Sequence, residues 1–112
     1  MSDKKTIDLH IQEPHFSSLC SGEKTIESRL AKQKYLQLNP GDILRVNHSM
    51  DFIVQKTIQY QSFQELLESE SIPLVLPNSN NMEEALSIYY GFYSKDEEKK
   101  YGVIAIHLSK LT

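Results

Sequence analysis

Apolar and polar residues alternate along Thr6-Ile7-Asp8-Leu9-His10-Ile11, the period-two signature of a half-buried strand. Ile7, Leu9 and Ile11 are expected to face inward, Asp8 and His10 outward. Glu13-Pro14 opens a short helix with Phe16 and Leu19 as its core contacts, since proline is tolerated in a first turn. Ser21-Gly22 ends that helix, because glycine adopts the left-handed C-terminal conformation at little cost. Thr25 to Leu30 reads as a second strand, with Ile26 and Leu30 on one face and Thr25, Glu27 and Arg29 on the other. Ala31 to Asn39 is polar, irregular or a single helical turn. Pro40-Gly41-Asp42 is a turn signal. Ile43 to His48 and Phe52 to Tyr60 are the third and fourth strands, joined as a hairpin through Ser49-Met50-Asp51.

Ser62-Phe63-Gln64-Glu65 carries capping-box spacing, and a helix with Phe63, Leu66 and Leu67 inward follows. Ser71 to Pro77 is apolar and proline-bounded, an extended linker on the surface. Asn81 with Glu84 repeats the capping pattern. Met82, Ala85, Leu86, Tyr89 and Tyr93 then form one stripe at steps of three and four, with Lys95 to Lys100 as the solvated tail of the same helix. Tyr101 to Leu108 is the last strand, with Gly102 a bulge or a point of close approach. The elements amount to about five strands and three helices without βαβ alternation. They predict an α+β fold, a small curved, partly closed β-barrel with about three flanking helices, and residues 1–112 form one domain.

Composition narrows the classes. The chain has 112 residues, enough to bury a core without covalent staples, and one cysteine, Cys20, which fits a reducing, cytoplasmic setting. No apolar run reaches the roughly 18 residues of a membrane span, and Met1-Ser2-Asp3-Lys4-Lys5 lacks the apolar region of a secretory signal. The net charge of −3 argues against bulk binding to a long duplex. Lys24, Arg29, Lys32 and Lys34 nevertheless make a local basic cluster, suited to a compact anionic ligand.

Charge is densest in Ser21-Gly22-Glu23-Lys24-Thr25-Ile26-Glu27-Ser28-Arg29-Leu30, a segment that otherwise reads as buried sheet. Arg29 offers a planar fork of donors to phosphate or a base edge, with Glu27 orienting it or accepting from an exocyclic amine. The alternative is a same-face ion pair that only orders side chains. Lys24 is either a solvated turn lysine or a cation at a cleft rim; desolvation would lower its pKa and allow it to act as a base. Lys32 and Lys34 would guide phosphate toward the cleft.

The chain resembles the ASCH domain family of the PUA-like superfamily. The family hallmark Gly-x-Lys-x-x-Glu-x-Arg stands here as Gly22-Glu23-Lys24-Thr25-Ile26-Glu27-Ser28-Arg29. Further agreement lies in Pro40-Gly41-Asp42, in Tyr60-Gln61-Ser62-Phe63-Gln64-Glu65-Leu66-Leu67, in Tyr89 to Tyr93, and in Tyr101-Gly102-Val103-Ile104-Ala105-Ile106. The resemblance covers residues 5 to 109. It implies binding of RNA or a modified nucleoside or nucleotide in a cleft beside a small barrel, without cofactor. One bacterial branch looks like an amidohydrolase of N4-acetylcytidine, using a lysine, a threonine three residues later and a downstream glutamate. Lys24 matches that lysine, while Glu27 occupies the threonine position. The glutamate region reads Asn78-Ser79-Asn80-Asn81, with Glu83 and Glu84 just beyond. A catalytic reading therefore rests on Lys24 with Glu27, or on Lys24 with Glu83 or Glu84.

The remaining chemistry-bearing residues have plainer expected roles. Tyr89 and Tyr93 lie on the core stripe, and Tyr90 lies off it. His10, His15, His48 and His107 show no metal-ligand spacing, so no metal site is expected. Cys20 is expected to be a small buried hydrophobe.

Overall fold

The computed structural model describes residues 4–111; Met1, Ser2 and Asp3, part of the segment read for a signal sequence, lie outside the described residues, as does Thr112. The fold is α+β, a curled five-stranded half-barrel sheet with six helices among the described residues. In chain order these are β1 (Thr6–Leu9), α1 (His15–Ser21), β2 (Ile26–Leu30), α2 (Gln33–Leu36), β3 (Ile43–Val46) and β4 (Met50–Tyr60). They are followed by α3 (Phe63–Ser69), α4 (Ile72–Val75), α5 (Met82–Phe92), α6 (Lys95–Tyr101) and β5 (Val103–Lys110).

The strand order is β1-β3-β4-β5-β2, parallel only between β1 and β3. A bulge between Val54 and Lys56 shifts the β4–β5 register, and the extra residue adds local twist to the longest strand. β1 and β2, far apart in the sheet order, are its two edges.

Two cores sit on opposite faces. One face gathers Leu44, Val46, Phe52, Val54, Ile104 and Ile106 with Ile7, Leu9 and Ile11 from the first segment and Leu19 from α1. The other face packs Ile26, Leu30, Val103 and Ala105 under Phe63, Leu66, Val75, Ala85 and Tyr89 from α3, α4 and α5. β5 alternates between them, so Val-Ile-Ala-Ile is buried on both sides, as expected of a strand covered on each face. Phe63 stacks on Tyr89, centroids 4.1 Å apart, and on Tyr93 at 5.5 Å.

The expected helical count fits roughly: six helices stand among the described residues, two of them, α2 and α4, only four residues long. Several expectations are corrected. Ser71 to Pro77 is not an extended linker: it contains α4, whose Pro73 falls in the first turn where no amide donor is missed, and Val75 and Leu76 are buried. Lys95 to Lys100 is not the tail of α5. Ser94 starts a separate helix with a complete capping box, its hydroxyl accepting from the Glu97 amide and the Glu97 carboxylate accepting from the Ser94 amide. That helix takes Tyr101, and β5 begins at Val103. At Ser62 only half of the box forms, because Glu65 reaches the Gln61 amide instead of the Ser62 amide. The β3–β4 turn is Asn47-His48-Ser49, with Met50 already in β4. Gly102 is a close-approach point: its φ is 69°, and a Cβ there would lie 3.1 Å from the Tyr60 carbonyl oxygen.

Candidate functional site

The site begins with a backbone reversal. α1 stops at Gly22, whose φ of 90° suits only glycine well, and its amide donates to the Leu19 carbonyl. The Lys24 amide then donates to the Ser18 carbonyl and the Thr25 amide to the Leu74 carbonyl. Those bonds hold the chain between α1 and α4 and turn the Lys24 side chain inward, where it is 2% exposed. It is neither a solvated turn lysine nor a mobile rim cation.

Lys24 Nζ donates to the Ile26 carbonyl at 2.6 Å and the Val75 carbonyl at 2.6 Å, and lies 3.2 Å from Glu27 Oε1. An ammonium has three protons, and three acceptors surround this one. Glu27, buried as well, uses its other oxygen to accept from Arg29 Nε at 2.6 Å. Arg29 Nη2 donates to the His10 carbonyl at 2.7 Å. His10 lies just beyond β1, so this guanidinium links the two edges of the sheet through a side chain.

Burial lowers the Lys24 pKa, with Glu27 opposing it. Burial also pushes the Glu27 carboxyl up, but Lys24 and Arg29 together outweigh that, holding it below its ordinary value. For Arg29, burial disfavours the charge and Glu27 more than restores it, leaving the pKa raised.

These side chains form one wall of a cavity of about 340 Å³. Lys24, Glu27, Ser28 and Arg29 supply the wall from the β2 segment; His10, Ile11, Gln12 and His15 supply another; Leu76, Ile88, Tyr89, Phe92 and Tyr93 close it from the helical side. Phe92 is half exposed at the rim, and Tyr89 shares a short hydrogen bond with Ser28. Burial, then Lys24, lowers the His15 pKa, which favours a neutral imidazole in the wall.

The structure brings Lys24, Glu27 and Arg29 together and leaves the other nominated residues elsewhere. Lys32 and Lys34 are exposed and do not line the cavity; each ammonium lies over a tyrosine ring, Lys32 at 5.1 Å from the Tyr101 centroid and Lys34 at 5.6 Å from that of Tyr35. Glu83 and Glu84 are exposed on the first turn of α5, where Glu84 accepts from the Asn80 amide, and neither lines the cavity. Tyr90 donates to Glu98. Cys20 is half-buried, not fully buried. Among the described residues no three His, Cys, Asp or Glu side chains are grouped to hold a metal ion, and no helix is long and apolar enough to cross a membrane.

Sequence reasoning missed His10, Gln12, His15, Leu76, Ile88 and Phe92. Phe92 and Ile88 had a signal, since they flank the core stripe of α5 on the side away from Tyr90. His10 and His15 had none, because a seam between edge strands is a product of tertiary closure.

Comparison with known proteins agrees with this architecture. The ASCH domain model matches residues 9–112. The crystal structure of hypothetical protein PH0355 superposes with a TM-score of 0.91 at 36% identity, over 95% of this chain and 99% of that one. The solution structure of protein PF0455 from Pyrococcus furiosus gives a TM-score of 0.81 at 34% identity, over 95% and 97%. No curated protein resembles the sequence closely enough to count as a match. With the family model spanning residues 9–112 and both solved structures more than 30% identical over nearly the whole chain, the chain belongs to the ASCH domain family.

Proposed function

We propose that this domain binds a nucleotide unit, of RNA or as a free modified nucleoside, by admitting the base ring to the cavity beside Arg29. The observation that carries this reading is the division of the cavity walls. One side is apolar and aromatic, from Leu76, Ile88, Phe92 and Tyr93, and the other is polar, from Arg29, Gln12, His10 and His15. A volume of about 340 Å³ with a few convergent polar groups is the usual form of a small-molecule site. Two of the five guanidinium donors of Arg29 are held by Glu27 and His10, which fixes the plane of the fork and leaves further donors for a base acceptor.

Lys24 has a different role from phosphate capture. Its protons are all accepted within the fold, so it anchors Glu27, and Glu27 anchors Arg29. PUA-like base recognition therefore relies here on Arg29 and the aromatic rim, with Lys32 and Lys34 attracting phosphate from outside the cavity. The same saturation weighs against the amidohydrolase alternative, in which Lys24 would act as a base with Glu27. Burial lowers the Lys24 pKa, the direction a base needs, but its three acceptors direct the nitrogen into the fold and away from an occupant of the cavity.

A thermal-shift panel of nucleosides, N4-acetylcytidine among them, and of nucleoside 5′-monophosphates tests the reading. A ligand at 100 times its dissociation constant adds about 2.7 kcal/mol, and Arg29→Ala should abolish the shift. An identical response from wild type and Arg29→Ala would remove Arg29 from the site. Cytidine released from N4-acetylcytidine would favour hydrolysis instead.

A further inference from the structure

His10 belongs to two cavities. Besides the one beside Arg29, it lines a shallower cavity of about 160 Å³ with Asp8, Leu9, Asn47 and His48. The ridge between them is fixed from both sides. Arg29 holds the His10 carbonyl, while the Asn47 side chain accepts from the Ile11 amide at 2.8 Å and donates to the Ile11 carbonyl at 3.0 Å. Asn47 and His48 both have left-handed φ, 53° and 54°. Asparagine tolerates that region, but a histidine there carries a backbone cost that glycine would avoid. The strained turn puts an imidazole on the rim of the second cavity and the Asn47 clamp behind it.

The chemistry of this second cavity differs from that of the first. It has a carboxylate, Asp8, two imidazoles, and no lysine or arginine. A phosphate would be repelled there. A base is not: Asp8 can accept from an exocyclic amine, and an imidazole offers a stacking face. Both cavities are lined by His10, so their occupants would lie side by side.

We infer that the ligand is a single-stranded RNA segment of at least two nucleotides, with one base in the cavity beside Arg29 and the adjoining amine-bearing base against Asp8, His10 and His48. This rests on the base-binding reading of the first cavity and extends it from a free nucleoside to a strand. The phosphate between the two bases stays on the ridge side, exposed to solvent.

Fluorescence polarisation with a labelled random RNA octamer, competed by the octamer or by a mixture of the four nucleoside 5′-monophosphates, tests it. Wild type should prefer the octamer. His48→Gly keeps the turn, because glycine adopts that φ without strain, and should weaken octamer binding about threefold or more while leaving monophosphate binding unchanged. Asp8→Ala gives a sign test. Removing an exposed negative charge tightens RNA binding if only overall charge matters, and weakens it if Asp8 accepts from a base. Octamer binding that Arg29→Ala abolishes but His48→Gly and Asp8→Ala leave intact overturns the second subsite alone. Failure of octamer and monophosphates alike to bind overturns the base-binding reading and this inference with it.

Discussion

Two arginine–carboxylate pairs lie on this sheet and share little beyond their chemistry. Arg45 and Asp51 face each other across the β3–β4 hairpin in register and form two bonds, 2.9 and 3.1 Å, in open solvent. Glu27 and Arg29 sit two residues apart on β2, make one bond of 2.6 Å, and are enclosed with Lys24 between α4 and α1. The surface pair has the better fork geometry, yet water screens it and competes for both partners. The enclosed pair has lost most of that water, so Glu27 depends on Lys24 and Arg29 for its hydrogen bonds. Burial, more than bond count, decides which pair the fold depends on. It also leaves the guanidinium rigid at a cavity wall, where a pre-oriented donor costs less entropy on binding.

The largest break in this contrast should come from Lys24→Met. It leaves the Ile26 and Val75 carbonyls without a donor and Glu27 with a single partner, and should cost about 3–5 kcal/mol in chemical denaturation. A cost below about 1 kcal/mol would mean the cluster is as replaceable as a surface pair. Next in size is the effect of acid. The folded-state pKa of Glu27 is depressed, so its contribution is complete above its ordinary value near 4.5 and is lost as pH falls from there toward the folded-state value. Glu27→Gln should therefore flatten the acid limb of a stability-against-pH curve, and an unchanged limb would assign that limb to other carboxylates. Arg29→Lys comes third. A lysine cannot reproduce the fork that spans Glu27 and the His10 carbonyl, so ligand affinity measured by calorimetry should fall about tenfold, with a smaller loss of stability. Arg45→Ala should do least. Its denaturation midpoint is expected to match wild type, and a clear drop would show that the hairpin pair does more than its exposure implies.

The strands were readable because period-two alternation is a local property, visible from Ile7 through Leu9 and from Leu44 through Val46 without knowledge of their neighbours. The position of Gly22 and the approach at Gly102 were readable for the same reason, since a backbone conformation restricts the residue that adopts it. α4 and α6 were not. Ser71 to Pro77 has too few residues to show a helical period, and the Ser94–Glu97 box was hidden behind a tyrosine stripe that pointed to one longer helix. In the motif, spacing placed Glu27 and Arg29 on one face, but it could not show that Lys24 would be roofed by the Val75 carbonyl, 51 residues away. Its environment changed from solvent to interior through a contact that only the closed fold creates.

β2 has one partner in the sheet, and that partner is β5, the last strand among the described residues and buried on both faces. During synthesis the segment bearing Lys24, Glu27 and Arg29 therefore has no ladder to join until residues 103–110 have left the ribosome. Any product that stops before those residues would leave β2 without its partner strand, and so without the ladder that supports the cavity wall of Lys24, Glu27 and Arg29.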